Sequence, residues 1–135
     1  MMESKVSPTN ANVSMKKSKS MMPPTIVSLK KAALASRGFK SFSDWSSQPG
    51  HLYIGRSMVH YIQGAEGSKW QNNFPVKRYG LARCLELYEE KVRNSPELLG
   101  AIEELEGKEL GCWCKPGPCH GDILIKIFNE TFVDL

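Results

Sequence analysis

GKELGCWCKPGPCHGDIL, residues 107–124, holds three of the four cysteines and one of the three histidines of the chain. KELGCWC (108–114) reads as a strand that begins where Gly107 ends a helical segment. Side chains alternate along a strand, so Leu110, Cys112 and Cys114 share one face and Trp113 points to the other. Lys115-Pro116-Gly117-Pro118 must then turn tightly, because its prolines have no backbone N–H to pair. DILIKIFNETF (122–132) reads as a final, mostly buried helix, with Cys119 and His120 at its entrance. A strand, a turn and a helix amino terminus form the part of an open α/β sheet where ligands bind. Free N–H groups and the helix dipole favour an anion there.

Working outward, the preceding segments are helical. Between Tyr79 and Asn94, Leu81, Cys84, Leu85, Tyr88 and Val92 recur at helical spacing, which makes Cys84 a small core residue. Ser95-Pro96 supplies a cap and a proline at the first helical position. A second helix over Glu97–Glu106 then turns Leu98, Leu99, Ile102 and Leu105 inward. TIVSLKK (25–31) and HLYIGR (51–56) are further strand candidates, with Ser43 a candidate helix cap between them. Residues 57–77 form a long connection, which in a small domain is functional or disordered. Strands alternating with helices predict a single small α/β domain over residues 25–135, of two or three layers around a partly parallel sheet.

Residues 1–24 differ from the rest. Residues 1–40 carry eight basic side chains against Glu3 alone, whereas the remaining chain carries ten basic and thirteen acidic ones. This predicts a disordered basic leader, of a kind that can neutralise nucleic-acid phosphates. No run approaches the roughly 18 apolar residues of a membrane span, so no membrane partner is expected. The leader lacks the apolar segment of a secretory signal, and Glu3 with the absence of Arg disfavours a mitochondrial presequence. The expected compartment is cytosol or nucleus, where cysteines are reduced thiols or metal ligands. The oligomeric state leaves no signal in the sequence.

Three readings fit the cysteine stretch. In the first, the helix field and the neighbouring His activate a thiol. Cys119 is then the candidate nucleophile with Cys112 and Cys114 beside it, and His120 is the acid, base or phosphate contact. In the second, Cys112, Cys114, Cys119 and His120 bind zinc, which suits their chemistry. Zinc ranks behind the thiol reading because C-x-C-x4-C-H is tightly spaced and one loop supplies all four ligands, leaving little to cross-link. In the third, the cysteines are packing. Arg56 at a strand end is a candidate phosphate clamp. Lys69, Trp70 and Asn72 combine a cation, an aromatic face and an amide that could meet a phosphate and a nucleobase. Asp122, in the C-H-G-D run, joins these substrate contacts. His51 and His60 are isolated, and Glu103, Glu104, Glu106 and Glu109 read as a solvated helix face and strand start.

YIGR (53–56), SKWQNNF (68–74) and residues 107–124 together resemble the uncharacterised family DUF4326 over about residues 25–130. The middle motif of that family usually reads S-K-W-G-N-P-F, so Trp70, Asn72 and Phe74 match while Gln71 and Asn73 depart. Y-I-G-R commonly runs almost directly into S-K-W there, whereas residues 57–67 intervene here. The P-x-x-C-H element also looks like the ending of another uncharacterised α/β family, DUF488. The resemblance implies that the three motifs form a common site. It associates that site with nucleotides or nucleic acids by genomic inference and supplies no reaction. Three functions follow as expectations. The first is binding or processing of a nucleotide or nucleic acid, with catalysis left open. The others are a non-catalytic nucleic-acid or protein-binding module and a zinc-stabilised domain.

Overall fold

The computed structural model describes residues 21–115 and 117–133. The expectation of a disordered leader falls largely on residues 1–20, outside the described residues. Residues 21–24, assigned above to the leader, lie on the folded part. Gly107 N–H donates to the Met22 carbonyl at 2.8 Å, and Pro24 is buried.

Strands β1 (Thr25–Ser28), β2 (His51–Tyr53) and β3 (Glu109–Cys112) form one sheet in the order β1-β3-β2, with both pairings parallel. Each is an apolar segment at one of the places that periodicity indicated. Parallel neighbours require long crossovers, and the chain supplies two. The first contains α1 (Lys31–Ser36) and α2 (Phe42–Ser46), the second α3 (Val76–Tyr79), α4 (Leu81–Arg93) and α5 (Pro96–Ala101), which runs into a 3-10 turn over Ile102–Leu105. After β3 comes α6 (His120–Phe128), extended by a wider turn over Asn129–Val133.

The sheet alternation separates two cores. Ile26, Leu52, Leu110 and Cys112 face one side, packed with Tyr88 and Val92 of α4, Ile102, Leu105, and Leu124 and Ile127 of α6. Val27, Tyr53 and Trp113 face the other, packed with Leu29, Leu34 of α1, and Phe42 and Trp45 of α2. The domain is therefore three-layered, one of the two alternatives expected. Burying a residue such as Leu110 on the central strand contributes about 2 kcal/mol.

Two glycines set the layer spacing. A Cβ at Gly111 would lie 2.6 Å from the Trp45 ring, and one at Gly121 would lie 2.6 Å from Ile26 Cδ1. Both positions admit a helix layer at a distance that any side chain would prevent.

Local signals explain the helix starts. The Ser95 hydroxyl accepts from Leu98 N–H at 3.2 Å behind Pro96, as expected. For α2 the cap is Ser41 rather than Ser43. Ser41 Oγ accepts from Asp44 N–H, whereas the Ser43 hydroxyl donates to the Gln63 carbonyl. The inward face of α4 is Cys84, Tyr88 and Val92, while Leu81 and Leu99 stay exposed at the helix edges.

Candidate functional site

The site lies where β3 ends and α6 begins. Cys112 is the last residue of β3, Cys114 follows two residues on, and Cys119 is the residue that caps α6. Gly121 N–H donates to Cys119 Sγ at 3.3 Å, and the Asp122 carboxylate accepts from Cys119 N–H at 3.0 Å. This reciprocal cap satisfies two otherwise orphaned helix donors. Lys115 Nζ reaches both Asp122 oxygens at 2.9 and 3.0 Å, and Gly117 N–H donates to the Cys114 carbonyl. The turn is thus closed by side chains at its two ends.

This closure brings Cys112, Cys114 and Cys119 together, with their sulfurs all within 4.8 Å of one another. Cys112 and Cys119 are buried and Cys114 is exposed. The three share protons unequally. Thiol hydrogen bonds from Cys112 and Cys119 hold the Cys114 thiol well below its ordinary value, with the nearby charge of Lys30 acting in the same direction. The contacts with the sulfurs of Cys112 and Cys114, and then burial, push Cys119 up. Cys112 is likewise raised, first by its hydrogen bond with Cys114. Cys119, the candidate nucleophile, is thus buried and raised, whereas Cys114 is the exposed member of the three and the one whose thiol is lowered.

His120 is buried, and burial lowers its pKa, so it stays neutral. Its Nε2 lies 2.7 Å from the Ile54 carbonyl, which only accepts, so Nε2 carries the proton. Nδ1 is then the lone-pair nitrogen, 3.8 Å from Cys119 Sγ. The Tyr88 ring meets the imidazole edge-on at 5.0 Å and 74°.

The YIGR segment reaches this histidine directly and the SKWQNNF loop only through Tyr88, and neither does so with the side chains first proposed for substrate. Ile54 of the YIGR segment holds His120, and the Tyr88 hydroxyl donates to the Trp70 carbonyl at 2.6 Å. Trp70 itself is 1% exposed and belongs to the core, so its face is closed to a nucleobase. Asn72 is engaged by its own loop: its amide donates to Cys84 Sγ and its oxygen accepts from Phe74 N–H. Lys69 pairs with Glu104 at 2.6 Å. Arg56 is exposed beyond β2, and its carbonyl accepts the Tyr53 hydroxyl. Asp122 acts as cap and partner of Lys115. The SKWQNNF loop is a pin on α4 rather than a pocket wall, because a buried indole contributes more to the core than a polar loop returns in solvent. Sequence reasoning missed Lys30 and Lys115 beside the thiols and the Ile54 carbonyl. Lys115 could have been found from its place directly after C-W-C, whereas a backbone contact leaves no sequence signal.

These features define a small three-layer α/β domain with a thiol cluster at the carboxyl end of its central strand. The sequence pattern of the family described as Domain of unknown function (DUF4326) matches residues 39–130, and the chain belongs to that family. An uncharacterised 12.4 kDa protein of the nrdA-td intergenic region in Enterobacteria phage T4 is 33% identical over 72 residues, covering 50% of this chain and 67% of that protein. An uncharacterised protein of Acanthamoeba polyphaga mimivirus is 35% identical over 87 residues, 58% of this chain and 66% of the relative. No solved structure matches the chain. Among the described residues no helix is long and apolar enough to cross a membrane.

Proposed function

We propose that this domain binds zinc through Cys112, Cys114 and Cys119, with His120 Nδ1 as the fourth ligand, and that the ion staples β3 to α6. The observation that carries the reading is the convergence of the three sulfurs within 4.8 Å. Tetrahedral zinc with sulfur and nitrogen ligands places sulfurs roughly 3.8 Å apart and sulfur and nitrogen roughly 3.6 Å apart. Cys119 Sγ and His120 Nδ1 lie 3.8 Å apart, close to that spacing. The group gathered within 4.8 Å is the three sulfurs alone, so the imidazole would have to move toward Cys112 and Cys114 to complete the set. A histidine ligand whose other nitrogen donates to a backbone carbonyl has its ring orientation and tautomer fixed, as the Ile54 contact does here. The spacing argument against zinc also weakens. The ligands belong to a strand end and a helix cap, two elements that an ion would hold together.

Elemental analysis of protein purified under reducing conditions with zinc present tests this reading. The expected content is close to one zinc per chain, reduced strongly by Cys112→Ser. Cobalt substituted for zinc should give thiolate-to-metal charge-transfer absorption. A content far below one per chain overturns the proposal. Unchanged affinity in His120→Ala would remove His120 from the ligand set and leave a three-sulfur site.

The second reading is nucleotide or nucleic-acid binding, and one observation favours it. Lys30, Lys31, Arg56 and Lys115 all lie in the segments that follow the three strands, on the edge that carries the thiols. Such cations neutralise phosphate. A fluorescent single-stranded oligonucleotide should bind with an affinity that falls steeply with salt and drops further in the Lys30→Glu, Arg56→Glu double variant. Binding that neither salt nor this variant changes ends the reading.

A further inference from the structure

On the other face of the sheet from the thiol cluster, a cavity of about 350 Å³ opens between α1, α2 and the segment around Tyr61. Its apolar side includes Leu29, Leu34, Phe42 and Trp113, and its polar side includes Lys31 and Lys40. Leu29 and Trp113 directly follow the last residues of β1 and β3, so the cavity sits at the carboxyl end of two adjacent parallel strands. The chain leaves those two strands toward opposite layers, which opens a crevice there.

Three features of the lining specify a ligand. The first is a fixed aromatic wall. The Phe42 and Trp113 rings stack at 6.0 Å and 29°, and Trp113 Nε1 donates to the Tyr53 hydroxyl at 2.6 Å, so the indole is held in place. Trp113 is only half-buried, and part of its surface is open to the cavity. The second is Tyr61, which lines the same space yet is 83% exposed. An aromatic ring left in solvent beside an aromatic wall gains most by covering a flat ligand. The third is uncompensated charge. Neither Lys31 nor Lys40 makes a side-chain ion pair among the described residues, and no acidic residue lines the cavity. Asp44, four residues beyond Lys40, accepts from the Lys40 backbone N–H at 2.9 Å.

We infer that this cavity is a binding site for a small planar aromatic anion, with the ring against Trp113 and Phe42 and the anionic group between Lys31 and Lys40. A neutral aromatic would leave both ammonium groups unpaired, and a simple inorganic anion would leave the aromatic wall in water. The volume is at the lower end for small-molecule sites and fits one ring system with a charged substituent. Nucleoside monophosphates and aromatic carboxylic acids both have this chemistry. The inference is independent of zinc, since none of these residues is a proposed metal ligand.

Quenching of tryptophan fluorescence reads the site, because Trp45 and Trp70 are buried and Trp113 faces the cavity. The probes are adenosine and uridine monophosphates, indole-3-acetate, adenosine without phosphate, and inorganic phosphate alone. At least one aromatic anion should bind ten times or more tightly than adenosine or phosphate. The Lys31→Ala, Lys40→Ala double variant, altered only at exposed positions, should weaken that probe at least tenfold while its circular dichroism stays unchanged. A monophosphate outranking indole-3-acetate assigns a nucleotide, and the reverse assigns an aromatic acid. The inference is overturned if no aromatic anion binds at millimolar concentration. It is equally overturned if adenosine binds as tightly, or if the double variant binds like the parent.

Discussion

The two ends of β3 gather polar side chains in opposite ways. At the amino end, the Glu109 carboxylate accepts two hydrogen bonds from Arg37 at 2.8 and 3.0 Å and one from the Trp45 indole at 2.8 Å. His51 stacks on Trp45 at 4.7 Å, and its Nδ1 donates to the Trp45 carbonyl. Every partner there is supplied from within, and the network ties α1, α2 and β2 to the central strand. At the carboxyl end, three sulfurs meet chiefly one another, with Cys114 open to solvent and Lys30 close by. Sulfur is a weak hydrogen-bond partner, so this cluster remains a donor set able to take a ligand. A closed polar network marks architecture and an open one marks function, although both sit on a strand of four residues.

The largest effect should come from the amino end. Trp45→Ala removes a fully buried indole and should cost about 4 kcal/mol in chemical denaturation, as large-to-small core changes do. A loss below about 1 kcal/mol would deny that end its structural role. Zinc should matter nearly as much at the other end. With zinc at a thousandfold excess over its dissociation constant, chelation should remove about 4 kcal/mol of stability. Cys112→Ser should abolish that response, and an equal chelator effect in the variant would break the assignment.

Glu109→Gln keeps an acceptor for Trp45 but loses the charge facing Arg37, for an expected loss of about 1–2 kcal/mol. Its pH dependence sharpens the comparison. Hydrogen bonding from Arg37 holds the Glu109 carboxyl below its ordinary 4.5, so its contribution is complete above that pH and is lost as pH falls through the lower folded-state value. The stability of the parent should therefore drop more steeply than that of Glu109→Gln below pH 4.5, and parallel curves would refute the linkage. Smallest of all, Asp122→Ala removes the α6 cap partner and should cost about 1 kcal/mol. Its zinc content should remain that of the parent, because Asp122 holds the turn and no metal.

Much of the fold could be read from short-range pattern. The strands at 25–28, 51–53 and 109–112 lie inside the segments that β-branched and apolar residues indicated, and Ser95-Pro96 starts a helix where expected. Cys84 is core, as its place on the α4 face required. The short helices α1, α2 and α3 had weaker signals, since four to six residues barely complete a turn. Glu109 read as one acid in a solvated run and His51 as an isolated residue. The partners of Glu109, Arg37 and Trp45, lie 72 and 64 residues away in sequence, so only strand pairing reveals the network.

The sequence by itself determined the α/β class, the strand-turn-helix at 109–128 and the presence of Cys112, Cys114, Cys119 and His120 in one short segment. Periodicity, proline and capping act over a few residues, and these features are local in the same sense. Only the tertiary structure decided that β3 lies between β1 and β2, that Trp70 is core, and that the three sulfurs converge. Those outcomes depend on which distant surfaces bury one another, a competition among contacts that no single stretch of chain contains.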